Sequence, residues 1–252
     1  MNALKTIPDQ YLKSADFRLI SHTNPVETGY AQMIGTISHE LRTPVSVLKS
    51  NIQLFKEFGS FAKEEIKNES ISMCEDSVAE LIHFLDEIQV LNASIKSGLK
   101  PKFSTFQVKS IVDNLSDTMA KTNLDFSRVK IKWILAIKKI YSDQSFIAHI
   151  LVNLLSNALK FSNGNILLTI SANKKQLSLL LEDSGIGIAE NEFEAVFKPF
   201  YRAENAKRKP GVGLGLAAVS ALTASLRGNI YIASTQDIGT ILKIILPHET
   251  SN

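Results

Sequence analysis

The chain has 252 residues, 44% of them hydrophobic, with a formal net charge of +3; that fits one large domain or two small ones and supports a sizeable core. Basic and acidic residues alternate, and no Lys/Arg cluster marks a nucleic-acid surface, the run Lys207-Arg208-Lys209 falling in a segment that reads as a lid. The single cysteine, Cys74, excludes an intrachain disulfide framework, and no apolar run reaches the roughly 18 residues that cross a bilayer.

Residues 1–28, with Pro8 and Pro25, show no clear period and read as a lead-in, in part helical. They lack the charged-then-apolar layout of a signal peptide. Ile34, Ile37, Leu41, Val45, Leu48, Ile52 and Phe55 then alternate steps of three and four, which is the seam of a long helix. Pro44 lies inside it and removes one backbone donor, so a bend is expected near His39. Gly59-Ser60 breaks the pattern before a second seam, Ile71, Cys74, Val78, Leu81, Leu85 and Ile88. Two long helices joined by a short turn form a helical hairpin. Such a hairpin has too little core alone, whereas two copies make a four-helix bundle, so the chain is expected to be a homodimer.

Residues 29–98 thus form a dimerising hairpin, 99–104 with Pro101 a hinge, and 105–252 a second domain. The spacing there predicts a helix over 107–124, a strand over 129–136, a helix over 143–161, and strands over 165–172 and 176–183. A glycine-rich segment follows over 184–212, then a helix over 213–226 and closing strands over 229–234 and 240–246. Strands and helices without regular alternation point to an α+β sandwich, one sheet covered by helices on one face.

Three motifs in this domain carry chemistry. Asn153, Asn157 and Lys160 recur at i, i+4 and i+7 and share one helix face, while Leu151, Leu154, Leu155 and Ala158 lie mainly on the other. Two amides and an ammonium suit a hydrated Mg²⁺ and phosphate oxygens; a solvated polar face has the same pattern. In Asp183-Ser-Gly185-Ile-Gly187 an acid ends a strand and two glycines let the backbone approach a ligand. A buried carboxylate there accepts from an adenine amino group and rejects the carbonyl of guanine. In Gly211-Val-Gly213-Leu214-Gly215 the glycines open a helix, whose free N–H groups face an anion. Neither a P-loop nor the dinucleotide fingerprint is present.

In order and spacing these motifs resemble the N, G1 and G2 boxes of the Bergerat-type ATP-binding domain, and Phe197-Lys-Pro-Phe200-Tyr201-Arg202 resembles the F box of histidine kinases. Ile34-Gly-Thr-Ile-Ser-His39-Glu40-Leu-Arg-Thr43-Pro44 resembles the phosphoacceptor motif of the sensor histidine kinases of two-component systems. The likeness covers about residues 30–248. It implies ATP and Mg²⁺ as cofactors, with Asn157 on the metal, Lys160 and Arg202 near phosphates, Asp183 on adenine, and Asn153 among the residues that bind the nucleotide. Phe161, Gly185, Gly187, Phe200, Tyr201, Gly211, Gly213, Leu214 and Gly215 line the site, and 188–212 is the lid. It implies autophosphorylation on His39, oriented by Glu40, and phosphotransfer to an aspartate on the receiver domain of a response regulator. Thr43, one turn on, would orient water for dephosphorylating that partner. It also implies a cytoplasmic location, either as a whole protein or as the cytoplasmic part of a membrane-anchored sensor. Asn153 stands near where related hydrolases carry a water-activating glutamate, which argues against an ATP hydrolase; a silent nucleotide-binding scaffold is the other alternative. His149 stands where the family often has glutamine and reads as structural, and Arg227 replaces the first glycine of a common pair.

Overall fold

The computed structural model describes residues 16–20, 30–58, 63–96, 98–113, 115, 125–209 and 211–248. Helices α1 (Tyr30–Phe58) and α2 (Glu64–Lys96) pack on each other. The helix α1 runs through Pro44, which is buried. The turn expected at Gly59-Ser60 lies outside the described residues. Much of the expected seam faces outward in the single chain: Val45, Ile52, Ile71, Val78 and Leu85 are each between 44% and 51% exposed. Cys74 is half-buried.

A neighbouring stripe of α2 does something the periodicity did not announce. Phe84 and Leu91 are buried against Leu214 and Ala217 of the second domain, with Ile37 and Leu41 of α1 and Phe200 and Val212 at the margins. Each fully buried large apolar side chain is worth about 1.5–3 kcal/mol, so a few such anchors suffice to seat one domain on the other.

The second domain is built on a six-stranded mixed sheet. Its strands are β1 (Arg18–Ile20), β3 (Val129–Leu135), β5 (Ile166–Ala172), β6 (Gln176–Asp183), β7 (Asn229–Thr235) and β8 (Gly239–Pro247), in the order β1-β7-β8-β6-β5-β3. Only β3 and β5 run parallel; Trp133 sits opposite Ile170. The inward residues of β5 and β6, Ile166, Leu168, Ile170, Leu177, Leu179 and Leu181, alternate with half-buried ones, as strands with one covered face require. They pack with Ile147, Leu151 and Leu154 of α3 (Gln144–Phe161) and with Val219 and Leu222 of α4 (Gly215–Ser225) in one core. Among the described residues, no helix is long and apolar enough to cross a membrane.

Three expectations change. Residues 18–20, read as lead-in, are an edge strand paired antiparallel to β7, and Ile20 is 1% exposed in the main core. The strands β2 (Ser104–Gln107) and β4 (Lys139–Ser142) form a separate two-stranded sheet. The helix expected over 107–124 does not start at its expected end: Gln107 belongs to β2 and Val108–Ile111 is a 3₁₀ turn, while Leu115 is helical and residues 114 and 116–124 lie outside the described residues.

Between α4 and β7, Arg227 has φ +55°, its N–H bonding to Ala224 while that of Gly228 reaches Thr223. This is a Schellman ending with arginine where glycine is preferred. A left-handed non-glycine costs on the order of 1–2 kcal/mol, partly offset by the freedom glycine regains on unfolding. The variant Arg227→Gly is therefore expected to be more stable by up to about 1 kcal/mol in urea titration.

Candidate active site

The site begins at the first turn of α3. Asp143 caps it, its Oδ1 accepting from the Phe146 N–H at 3.0 Å, while Oδ2 accepts from the Lys102 N–H at 2.5 Å. One buried carboxylate thus sets the start of α3 and pins the end of the 99–104 segment. Further along α3, the Asn153 side chain is 1% exposed, and its Nδ2 has no hydrogen-bond partner among the described residues. Gly215 opens α4 opposite. A Cβ there would lie 3.1 Å from Asn153 Oδ1 and 3.4 Å from Asn157 Nδ2, so both amides converge on the helix N-terminus. Lys160 Nζ lies against Gly211, 2.6 Å from where a Cβ would be.

At the other end, Asp183 closes β6. Its Oδ1 accepts from the Gly185 N–H at 2.8 Å. Burial pushes this carboxyl up to about 6, with bonds from the Gly185 and Thr240 backbones working the other way. The glycines after it are required: a Cβ on Gly185 would lie 2.5 Å from the Phe161 carbonyl, and one on Gly187, φ +62°, 2.0 Å from that of Thr235. The Phe161 carbonyl also accepts from Ile186 N–H at 3.2 Å, tying this loop to the end of α3.

Residues of 188–209 and 211–212 supply another part of the pocket wall. Phe200 holds φ +64°, unusual for an aromatic residue, and its N–H bonds to the Gly213 carbonyl at 2.9 Å. Tyr201 Oη donates to Glu192 at 2.8 Å, which chiefly raises the phenol. Arg202, expected near phosphates, lines the cavity but gives Nη2 to the carbonyls of Ala206 (2.6 Å) and Lys209. Lys209 Nζ donates to the Lys160 carbonyl and lies 5.7 Å over the Phe161 ring. Asn205, which no sequence signal singled out, bonds from Nδ2 to the carbonyls of Gly187 (2.9 Å) and Ile186 (3.1 Å), clamping lid to loop.

These residues border a half-open cavity of about 200 Å³. Asn153, Asn157, Lys160 and Asp183 line it, as do Gly187, Gly211, Gly213, Leu214 and Gly215. Leu214 also packs on the hairpin. One part of the wall was not foreseen: Glu80, His83, Phe84 and Glu87 of α2. Burial raises the Glu87 carboxyl to about 8, with Lys160 opposing. Its Oε1 lies 3.4 Å from His83 Nε2. Burial also holds Lys160 below its ordinary value, while Glu80, Glu87 and Glu40 of the hairpin pull it back up and Arg202 adds to the lowering. His149 is half-buried, and burial lowers it.

On α1, His39 is an open side chain, 73% exposed, with Nδ1 3.4 Å from Glu40 Oε1. Thr43 is exposed one turn on. Neither His39, Glu40 nor Thr43 lines the cavity.

A helix bearing an exposed histidine and a cavity lined by two amides, a lysine and a carboxylate in one chain narrow the choice of family, and comparison with known proteins decides it. The His Kinase A (phospho-acceptor) domain matches residues 30–92, and the histidine kinase-, DNA gyrase B-, and HSP90-like ATPase matches 142–250. The chain belongs to the sensor histidine kinases. Among its relatives, sensor histidine kinase WalK of Bacillus subtilis (strain 168) is 26% identical over 229 residues, which is 86% of this chain and 36% of that protein. Sensor protein kinase WalK of Staphylococcus aureus is 25% identical over 253 residues, covering 91% of this chain and 56% of that one. This histidine kinase chain therefore spans about a third to a half of the curated relatives it matches. Among solved structures, the Acinetobacter baumannii histidine kinase AdeS superimposes with a TM-score of 0.61 at 26% identity, covering 84% of this chain and 98% of that one. The second domain of this kinase is its ATP-binding domain.

Proposed function

We propose that this histidine kinase transfers the γ-phosphoryl group of ATP to His39 and then to an aspartate on the receiver domain of a response regulator. The observation that carries the reading is an exposed imidazole, with a carboxylate beside its Nδ1, on the same chain as a half-open cavity in the domain that matches the ATPase family. His39 Nε2, as neutral imidazole, attacks the γ-phosphorus; the N–P bond forms as the bond to the β–γ bridging oxygen breaks, and ADP leaves. Glu40 accepts from Nδ1–H, holding the reactive tautomer and stabilising the cation that develops. Phosphoryl transfer needs little else from a protein than position and charge.

In the pocket, Asp183 reads the adenine amino group, and Lys160 and Arg202 meet phosphate oxygens, the latter after leaving the lid carbonyls. The amide oxygen of Asn157 suits Mg²⁺, a hard cation that takes oxygen ligands. The convergence of both amides on Gly215, and the unpartnered Nδ2 of Asn153, fit a ligand between them. When bound, the metal neutralises phosphate charge. Because His39 does not line the cavity, transfer requires the ATP-binding domain to move relative to the hairpin about residues 99–104. The exposed stripe of Val45, Ile52, Ile71, Val78 and Leu85 is what a second copy would cover in a four-helix bundle, and the exposed Thr43, one turn from His39, would orient water in a phosphatase reaction. The activity is read as cytoplasmic, where ATP and a receiver partner would be met.

The test is incubation with γ-labelled Mg-ATP. Acid-labile, base-stable label on the chain is expected; nucleotide bound without label would overturn the kinase reading and leave a nucleotide-binding scaffold.

A further inference from the structure

The hairpin wall of the nucleotide pocket has a consequence for binding. Glu87 is 6% exposed although it is a carboxylic acid on a helix with a free outer face. Its Oε1 stands 3.1 Å from where a Cβ on Gly215 would be, as does Asn153 Oδ1, with Asn157 Nδ2 at 3.4 Å. The carboxyl therefore sits among the amides of α3 and the first turn of α4. A helix N-terminus with Lys160 lining the same cavity is where an anion is expected. Three hairpin carboxylates, Glu80, Glu87 and Glu40, act on Lys160 through space. A hairpin carboxyl thus stands at the α4 N-terminus where a polyphosphate is expected, and Phe84 and Leu91, three residues before and four after Glu87, seat it there through Leu214 and Ala217.

We propose that Glu87 is an affinity-determining residue of the nucleotide pocket, a hairpin carboxyl standing in for nucleotide phosphate, so that the seated hairpin and bound polyphosphate exclude one another. The inference rests on the ATP-binding reading above. An ionised Glu87 repels phosphate oxygens, and a neutral one still occupies their volume and crowds the α4 N-terminus; either form opposes the nucleotide. By linkage, ATP must then loosen the hairpin contact as much as the contact weakens ATP. The same competition releases the contacts that Ile37 and Leu41 of α1 make at the margin of this seat when the pocket fills.

The experiment is calorimetric titration of the full chain with a non-hydrolysable ATP analogue plus Mg²⁺, and separately with adenosine. Wild type is compared with Glu87→Ala, Glu87→Gln and Phe84→Ala. Glu87→Ala is expected to bind the analogue roughly tenfold tighter, within the usual range for coupled sites, with adenosine changed less than about twofold. Phe84→Ala loosens the seat without touching the carboxyl and should tighten the analogue in the same direction. Saturating analogue should speed hydrogen exchange over residues 80–91 of wild type. Equal affinity in wild type and the folded Glu87→Ala and Phe84→Ala variants overturns the proposal while leaving the ATP site intact. Weaker binding by Glu87→Ala and Glu87→Gln also overturns it, and makes the carboxyl a group that serves the bound nucleotide or its cation. No binding by any variant removes the nucleotide site, and the inference with it.

Discussion

Changing His39 to glutamine should abolish the acid-labile label completely while leaving folding and nucleotide binding as they were. Glutamine's amide nitrogen has its lone pair delocalised into the carbonyl, so it forms no phosphoramidate. The side chain at 39 is 73% exposed and outside the cavity, so neither packing nor the ATP pocket depends on it. Surface changes of this kind stay within about 0.5 kcal/mol, and glutamine is the better helix former. The comparison of label per mole of bound nucleotide, with melting temperature as control, separates chemistry from fold. Equal label on both proteins would place the phosphoacceptor elsewhere. Among the other described histidines, His83 and His149 are half-buried where His39 is open, and His248 Nε2 pairs with the Asn173 carbonyl at 2.8 Å.

The parts of the site that the sequence disclosed are those written within one element. The face shared by Asn153, Asn157 and Lys160 follows from the helical period alone, and Asp183 before two glycines marks a strand end meeting a tight loop. What stayed hidden depends on contacts between elements. Periodicity shows that α2 is amphipathic, yet nothing in it says that Glu87 and Phe84 would wall the pocket, because one apolar stripe does not name its partner. The strands β1, β2 and β4 are three or four residues long, at most two full periods, so alternation had little room to show. They exist because β7 and the neighbouring segments supply hydrogen-bond partners. Asn205 was invisible for a related reason: an amide in a loop has meaning only once the carbonyls of Ile186 and Gly187 are brought to it.

Replacing Asp183 with asparagine should have two effects of opposite sign. In the pocket, Oδ1 is held by the Gly185 N–H and the Thr240 backbone also bonds the carboxyl, so the lone pairs that remain would accept from adenine. In the asparagine variant the one oxygen serves Gly185, and an NH₂ group replaces the second acceptor and would meet the adenine amino group, donor against donor. An unpaired buried polar group and a lost charge-assisted bond together weaken ATP by at least about a hundredfold. Stability of the nucleotide-free protein should move the other way. Burial raises the folded carboxyl to about 6, above its unfolded value near 4. A folded value above the unfolded one means stability that is full below the unfolded value and lost as pH rises through the folded one. At pH 7.5 wild type therefore bears a penalty of roughly 2–3 kcal/mol that asparagine removes, and the gain should shrink below pH 6 and be mostly gone near about pH 4. Urea unfolding at the two pH values measures it. The same titration makes wild-type affinity for nucleotide fall as pH drops below about 6, since binding needs the ionised form. A variant that kept its ATP affinity would remove Asp183 from adenine recognition. One that lost affinity without gaining stability at pH 7.5 would show that the carboxylate is not held at a cost by the fold, and that the pocket is wetter at this end than its burial implies.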